Sequence, residues 1–126
     1  MHTRAKQILV IEDDKGFKPS LRNIVKDNGY VVVGETAQGR QAVELIQASQ
    51  PDVVLIDQQL RDMDGIAAAR QINARCPAPI VLVVASETPE WITAAQEAGV
   101  GYCLLKPVTR RQMMRAFDVA LARFED

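Results

Sequence analysis

Charge gathers where apolar runs end. "QILVI" leads straight into Glu12, Asp13 and Asp14, "DVVLI" into Asp57, and "YCLL" into Lys106-Pro107. Neighbouring carboxylates repel, so three in a row cost stability unless a cation or solvent compensates. A hard divalent cation such as Mg²⁺ prefers oxygen ligands and keeps several waters, so a few carboxylates suffice to hold it. A lysine ammonium is a point charge suited to a phosphate-like anion. Acids, metal and lysine together point to phosphoryl chemistry, in which a protein mainly positions groups and neutralises charge. No serine, cysteine or histidine is placed as a nucleophile, and the only histidine is His2. A carboxylate serves instead by forming an acyl phosphate, and Asp57, alone at the end of a central-looking strand, is the best placed.

The elements that must position these groups read clearly. Short apolar runs at 7–11, 31–34, 52–56, 80–84 and 102–105 are mostly continuous and β-branched, as expected of strands covered on both faces of a parallel sheet. Helical patterns lie between them: "PSLRNIVKDNG" with Leu21, Ile24 and Val25 on one stripe, "RQAVELIQA", the alanine-rich "GIAAARQINA", and "PEWITAAQEAG". A last helix opens with a capping box, Thr109 with Gln112, and carries Met113, Phe117, Ala120, Leu121 and Phe124 at core-facing spacing. Five strands alternating with five helices predict an α/β fold, a three-layer (βα)5 sandwich around a five-stranded parallel sheet. Ligands of such sheets bind outside the C-terminal strand ends. Glu12, Asp13, Asp57 and Lys106 therefore gather at one edge.

Composition narrows the class. The 126 residues are 48% hydrophobic and 25% charged with a net charge of −1, which suits one domain over residues 1–126. That balance gives no electrostatic footprint for direct nucleic-acid or membrane binding. No apolar run approaches the ~18 residues of a membrane span. The start, "MHTRAKQ", lacks the apolar segment of a secretory signal, so a cytoplasmic location is expected. Cys76 and Cys103 form no CxxC pair and read as buried, reduced thiols.

Three segments, "VIEDD" at 10–14, "PDVVLIDQQLRDMDG" at 51–65 and "AGVGYCLLKPV" at 98–108, make the chain resemble the receiver domain of two-component response regulators. The resemblance covers nearly the whole chain. It implies a flavodoxin-like sheet of order 2-1-3-4-5 and phosphoryl transfer to Asp57 from a histidine kinase or histidine phosphotransfer protein. By matching position, Asp13 ligates Mg²⁺ directly, Glu12 helps through water, Asp57 shares the metal, and the backbone carbonyl of Gln59 completes the protein ligands. Lys106 contacts the phosphoryl oxygens, its bond to Pro107 is cis, and Asp14 is a solvated loop charge.

The sequence departs from the family at three places. Val84 stands where members carry a threonine or serine that bonds the phosphoryl group, with Ser86 two residues on as a substitute hydroxyl. Cys103 stands at the usual aromatic position, and Tyr102, one residue early, points to the opposite strand face. Arg61 replaces a proline four residues after Asp57. The first two are switch positions, so the expectation is a phosphorylatable Asp57 with an atypical output switch.

Signalling is expected through protein contact, either with a downstream protein or with an output domain outside this sequence. In the family this uses the fourth helix, fifth strand and fifth helix, near which Trp91, Tyr102 and Arg110 fall. "ALARFED" resembles the junction after receivers of RNA-binding antiterminators, and "LLKPVT" resembles receivers of hybrid kinases. Two rivals compete. One is a pseudo-receiver that binds partners without phosphorylation, favoured by Val84 and Cys103. The other is an Mg²⁺-dependent aspartyl phosphohydrolase, disfavoured because Gln58-Gln59 follow Asp57 where such enzymes carry a second aspartate two residues on. A receiver is a phosphoacceptor, at most removing its own phosphoryl group, and not an enzyme in the ordinary sense.

Overall fold

The computed structural model describes residues 5–13 and 18–125, so the readings of His2 and Asp14 fall outside the described residues. The elements alternate: β1 (Lys6–Ile11), α1 (Lys18–Asp27), β2 (Tyr30–Thr36), a 3-10 turn (Gly39–Gln41), α2 (Ala42–Ser49), β3 (Val53–Asp57), α3 (Gly65–Arg75), β4 (Ile80–Val84), α4 (Pro89–Glu97), β5 (Tyr102–Leu105) and α5 (Arg110–Glu125). The five strands form one sheet in the order β2-β1-β3-β4-β5, and every neighbouring pair is parallel. This is the flavodoxin-like arrangement.

Side-chain alternation divides the apolar residues between two layers. Leu9, Ile11, Val54, Ile56, Ile80, Leu82 and Val84 pack on one face with residues of α2, α3 and α4, including Ile46, Ile72 and Ala95. Ile8, Val10, Val53, Leu55, Val81, Val83 and Leu104 face Val25 of α1 and Met113, Phe117 and Ala120 of α5. Every residue of β3 and β4 is buried, which explains why those runs show no polar alternation. Tyr30 stacks at a tilt on Phe117, with ring centroids 4.6 Å apart. Among the described residues no helix is long and apolar enough to cross a membrane.

Local chemistry sets the helix ends. The Asp64 carboxylate accepts the Ala67 N–H at 2.7 Å, and the Thr88 hydroxyl oxygen accepts the Trp91 N–H at 3.1 Å just before Pro89. The capping box at α5 is reciprocal. Thr109 N–H donates to Gln112 Oε1 at 3.0 Å, and Gln112 N–H donates to Thr109 Oγ1 at 3.2 Å.

Four readings need correction. β2 extends on both sides of 31–34 because the register shifts by one residue opposite Ile8 and Leu9, letting the strand continue past Gly34. A Cβ on Gly34 would lie 2.9 Å from a terminal methyl of Leu9, so a larger residue there would have to displace that side chain. The helix read on "RQAVELIQA" is a 3-10 turn followed by α2, its first N–H groups held by Asp62 from another loop. In α5, Met113, Phe117 and Ala120 are buried, but Leu121 is half-buried and Phe124 is 49% exposed. Sixteen helical residues span about 24 Å, whereas a five-residue strand such as β4 spans about 17 Å. The last turn of α5 overhangs the sheet and lines a groove with Ile46, Pro51, Pro77 and Pro79. Finally, Cys76 and Cys103 are half-buried free thiols, not fully buried ones.

Candidate functional site

β1 and β3 are neighbours, with Ile11 opposite Ile56, so Glu12 and Asp57 leave the sheet at the same level. Asp57 is the last residue of β3, opposite Val83, and only 5% exposed. β5 lies beyond β4, two strand spacings or ~10 Å from β3. A lysine's four-carbon stem can reach across β4, where a short side chain could not. Lys106 does so. Its backbone N–H donates to the Val84 carbonyl at 2.8 Å, and its Nζ lies 3.3 Å from Asp57 Oδ2. The Lys106–Pro107 bond is cis.

These groups share a cleft of about 270 Å³ lined by Asp13, Asp57, Gln58, Gln59, Leu60, Ala85 and Lys106. Glu12 is almost fully buried beside it, and its backbone N–H donates to the Thr36 carbonyl at 2.9 Å. Asp13 is partly exposed and accepts a hydrogen bond from Arg61 Nη2 at 3.0 Å.

The loop from β3 to α3 is fixed by its own backbone. Gly65 N–H donates to the Gln58 carbonyl at 2.7 Å, Leu60 N–H to the Met63 carbonyl at 3.1 Å, and Gln59 bridges Asp64. A Cβ on Gly65 would lie 2.5 Å from the Asp57 carbonyl oxygen, so only glycine lets α3 start so close to the acid. The loop is also stapled to the segment after β2. Arg61 N–H donates to the Ala37 carbonyl at 3.0 Å, and the Asp62 carboxylate accepts the N–H groups of Gly39 and Arg40 at 2.7 and 3.1 Å. Desolvation raises the Asp62 pKa, but the N–H donors of Arg40, Gly39 and Asp62 itself, with the Arg40 charge, outweigh it and hold the carboxyl below its ordinary value.

Val84 and Cys103, expected from the sequence as switch positions, belong to the apolar layer on one face of the sheet. Val84 is fully buried in the apolar layer under α3 and α4, and β4 ends there. Ser86 lies beyond the strand, exposed, and is not among the cleft-lining residues. Ala85 reaches the cleft instead, and its N–H donates to the Gln58 side-chain oxygen at 3.4 Å. Cys103 packs against the α4-side layer and Tyr102 against the α5-side layer. Burial, then the Glu87 charge, pushes the Cys103 thiol up to about 11. The three residues expected at a partner surface make different contacts. Trp91 is half-buried against the same layer as Cys103, whereas the Arg110 guanidinium donates to Asn28 Oδ1 at 3.3 Å and to the Asp27 carbonyl at 3.0 Å, closing the end of α1.

Two contributors escaped the sequence reading. Gln58 lines the cleft and reaches Ala85, and nothing about a glutamine after a strand announces that. Arg61 was visible only as a replaced proline, and its pairing with Asp13 spans 48 residues. Among the described residues, no three acidic, histidine or cysteine side chains come together as a self-sufficient metal cage. Two carboxylates and a loop carbonyl are nonetheless hard oxygen donors of the kind Mg²⁺ takes while keeping waters, so the donor set fits that ion.

Known proteins share this fold. Residues 8–118 match the family model of the response regulator receiver domain. The transcriptional regulatory protein PdtaR of Mycobacterium tuberculosis is 32% identical over 121 residues, or 96% of this chain and 59% of that protein. The chain thus spans about three fifths of that relative's length. The signal receiver domain of a modulated diguanylate cyclase from Desulfovibrio desulfuricans G20 superposes with a TM-score of 0.86 at 27% identity, covering 97% of this chain and 98% of that one. The receiver domain of a sensor histidine kinase from Pseudomonas aeruginosa PAO1, with a magnesium ion coordinated in its active site cleft, gives a TM-score of 0.82 at 26% identity, covering 94% and 99%. With the family match spanning most of the chain and the sheet order in agreement, the chain belongs to the receiver domains of two-component response regulators.

Proposed function

We propose that residues 1–126 form one phosphoacceptor receiver, taking a phosphoryl group from a phospho-histidine donor onto Asp57 in the presence of Mg²⁺. The observation that carries this is the 3.3 Å pairing of Lys106 with the buried Asp57 carboxylate, in a cleft that also holds Asp13. An Asp57 oxygen attacks phosphorus, the P–N bond to the donor imidazole breaks, and its electron pair stays on the ring nitrogen, which takes up a proton. An acyl phosphate results. Lys106 turns from Asp57 Oδ2 toward the phosphoryl oxygens, where its three donors offset their charge. Asp13, Asp57 and the Gln59 carbonyl would hold Mg²⁺, with Glu12 helping through water, and the ion would supply charge neutralisation to the transferring group.

The donor is a histidine kinase or histidine phosphotransfer protein in the cytoplasm, and output passes to a downstream protein or an attached output domain without direct nucleic-acid contact by this domain. The protein is a signalling acceptor, not an enzyme in the ordinary sense. Val84 and Cys103 make its switch atypical. A second reading, the pseudo-receiver, gains support because, among the described residues, none that lines the cleft carries a hydroxyl.

Intact mass after incubation with acetyl phosphate separates the two. A Mg²⁺-dependent phosphoryl adduct that disappears in Asp57→Asn is expected of the acceptor. Folded protein with no adduct would establish the pseudo-receiver.

A further inference from the structure

Besides Lys106 at Asp57, a second cation reaches the cleft's acids through the Arg61–Asp13 pair. Arg61 Nη2 lies 3.0 Å from Asp13 Oδ1. Its backbone is not free to wander, because Arg61 N–H is bound to the Ala37 carbonyl and the next residue, Asp62, grips the N–H groups of Gly39 and Arg40. The guanidinium is therefore delivered to Asp13 by a stapled loop. Its side chain is 59% exposed, so the pair is screened by solvent and opening it costs little.

We infer that Arg61 is a positioning residue that competes with Mg²⁺ for Asp13, an inference that rests on the metal reading above. With Arg61 in place, Asp13 is held by a guanidinium. Metal entry requires that pair to open and the guanidinium to swing into solvent while the loop backbone stays put. Arg61 thereby lowers the affinity of the site for a divalent cation. A proline at this position would lack both the charge and the N–H bound to Ala37.

The test is a Mg²⁺ titration of the whole chain, following the backbone amide resonances of Asp13 and Gln59 at low ionic strength. Arg61→Met keeps the apolar stem and removes the charge. Exposed ion pairs are weak, so affinity should rise about two- to fivefold, and the gain should shrink in high salt as screening increases. Arg40→Met is the control for charge alone, since Arg40 bonds Gln38 and does not pair with Asp13. It should change affinity less. Equal affinities in parent and Arg61→Met, weaker binding in the variant, or an equal gain in Arg40→Met would each overturn the inference while leaving the metal reading intact. No saturable shift in either parent or Arg61→Met, in samples with well-dispersed spectra, would overturn both.

Discussion

The edge where β1, β3 and β5 end and the layer where β4 and β5 meet α4 lie side by side but differ in kind. At the edge, Asp13, Asp57 and Lys106 line one cleft and Lys106 reaches across a strand to its acid. In the layer, Val84 is sealed in apolar packing, Cys103 is half-buried on the same side, and Tyr102 faces the other way. On the function proposed above, the groups that would carry out phosphoryl transfer have the residue types that chemistry needs, while the positions that would report it, Val84 and Cys103, hold packing residues. Chemistry and read-out would then be separable, and each could be perturbed alone.

The largest perturbation should come from Lys106→Met, which keeps the stem and deletes the ammonium beside Asp57. Removing one preorganised donor to developing charge typically costs 10²–10³-fold. Acyl phosphate formation from acetyl phosphate, followed by mass, should fall about 100-fold with the fold intact by circular dichroism. A rate within a few-fold of the parent would mean that the edge does not depend on its lysine, and the contrast with the layer would collapse.

Val84→Thr tests the other side. A hydroxyl in this fully buried position costs about 1–3 kcal/mol if it stays unbonded, so the resting packing weakens. A bond to the charged phosphoryl group recovers roughly 1.5–3 kcal/mol in the phosphorylated form. Both effects favour the phosphorylated arrangement, by an amount comparable to the few kcal/mol that separate states of a switch. The amide spectra of resting and phosphorylated protein should differ more in the variant than in the parent. An equal or smaller difference would show that the missing hydroxyl is not what sets the read-out apart.

Gly65→Ala strikes the junction of the two regions. Its Cβ would sit 2.5 Å from the Asp57 carbonyl oxygen and 2.6 Å from a Leu82 methyl, and one of those contacts is backbone that cannot rotate away. Overpacking of this kind costs typically 1–3 kcal/mol. Urea unfolding should shift to lower midpoint at unchanged slope. No shift would mean that α3 can back away from β3 without loss.

How much of this was legible depended on what kind of contact placed each residue. Asp57 and Lys106 directly follow continuous apolar runs, and strand direction alone carries them to one edge. Capping at Thr109 and Gln112 was equally plain because both partners lie within four residues. Arg61 and Gln58 were opaque because a stapled loop decides where they point, and the staple joins segments more than 20 residues apart. Phe124 kept the helical period of the core but lies beyond the end of the sheet, and periodicity carries no information about where a neighbouring layer stops. Val84 was recognisable as a departure, whereas its complete enclosure depends on α3 and α4 closing over β4.

Cys103 offers the smallest effect and the finest view of the layer. Burial is the first cause of its raised pKa of about 11, with Glu87 adding like-sign charge disfavouring the thiolate. The folded state thus holds the proton more tightly than the unfolded chain, whose cysteines ionise near 8.5. Stability from this group is complete below that value and falls as pH rises through about 11, because only the unfolded state releases the proton in between. In a Cys76→Ser background, the single remaining thiol should react slowly with a disulfide reagent at pH 8, with a rate that climbs toward pH 11. Unfolding in urea should restore the ordinary rate, since the thiolate is the reactive form. If the folded thiol reacted as fast as the unfolded one, the packing around Cys103 would be open to solvent. A small side chain there would then have left a gap at the aromatic position of the fifth strand instead of a closed wall, and the read-out layer would be loose where the chemistry edge is tight.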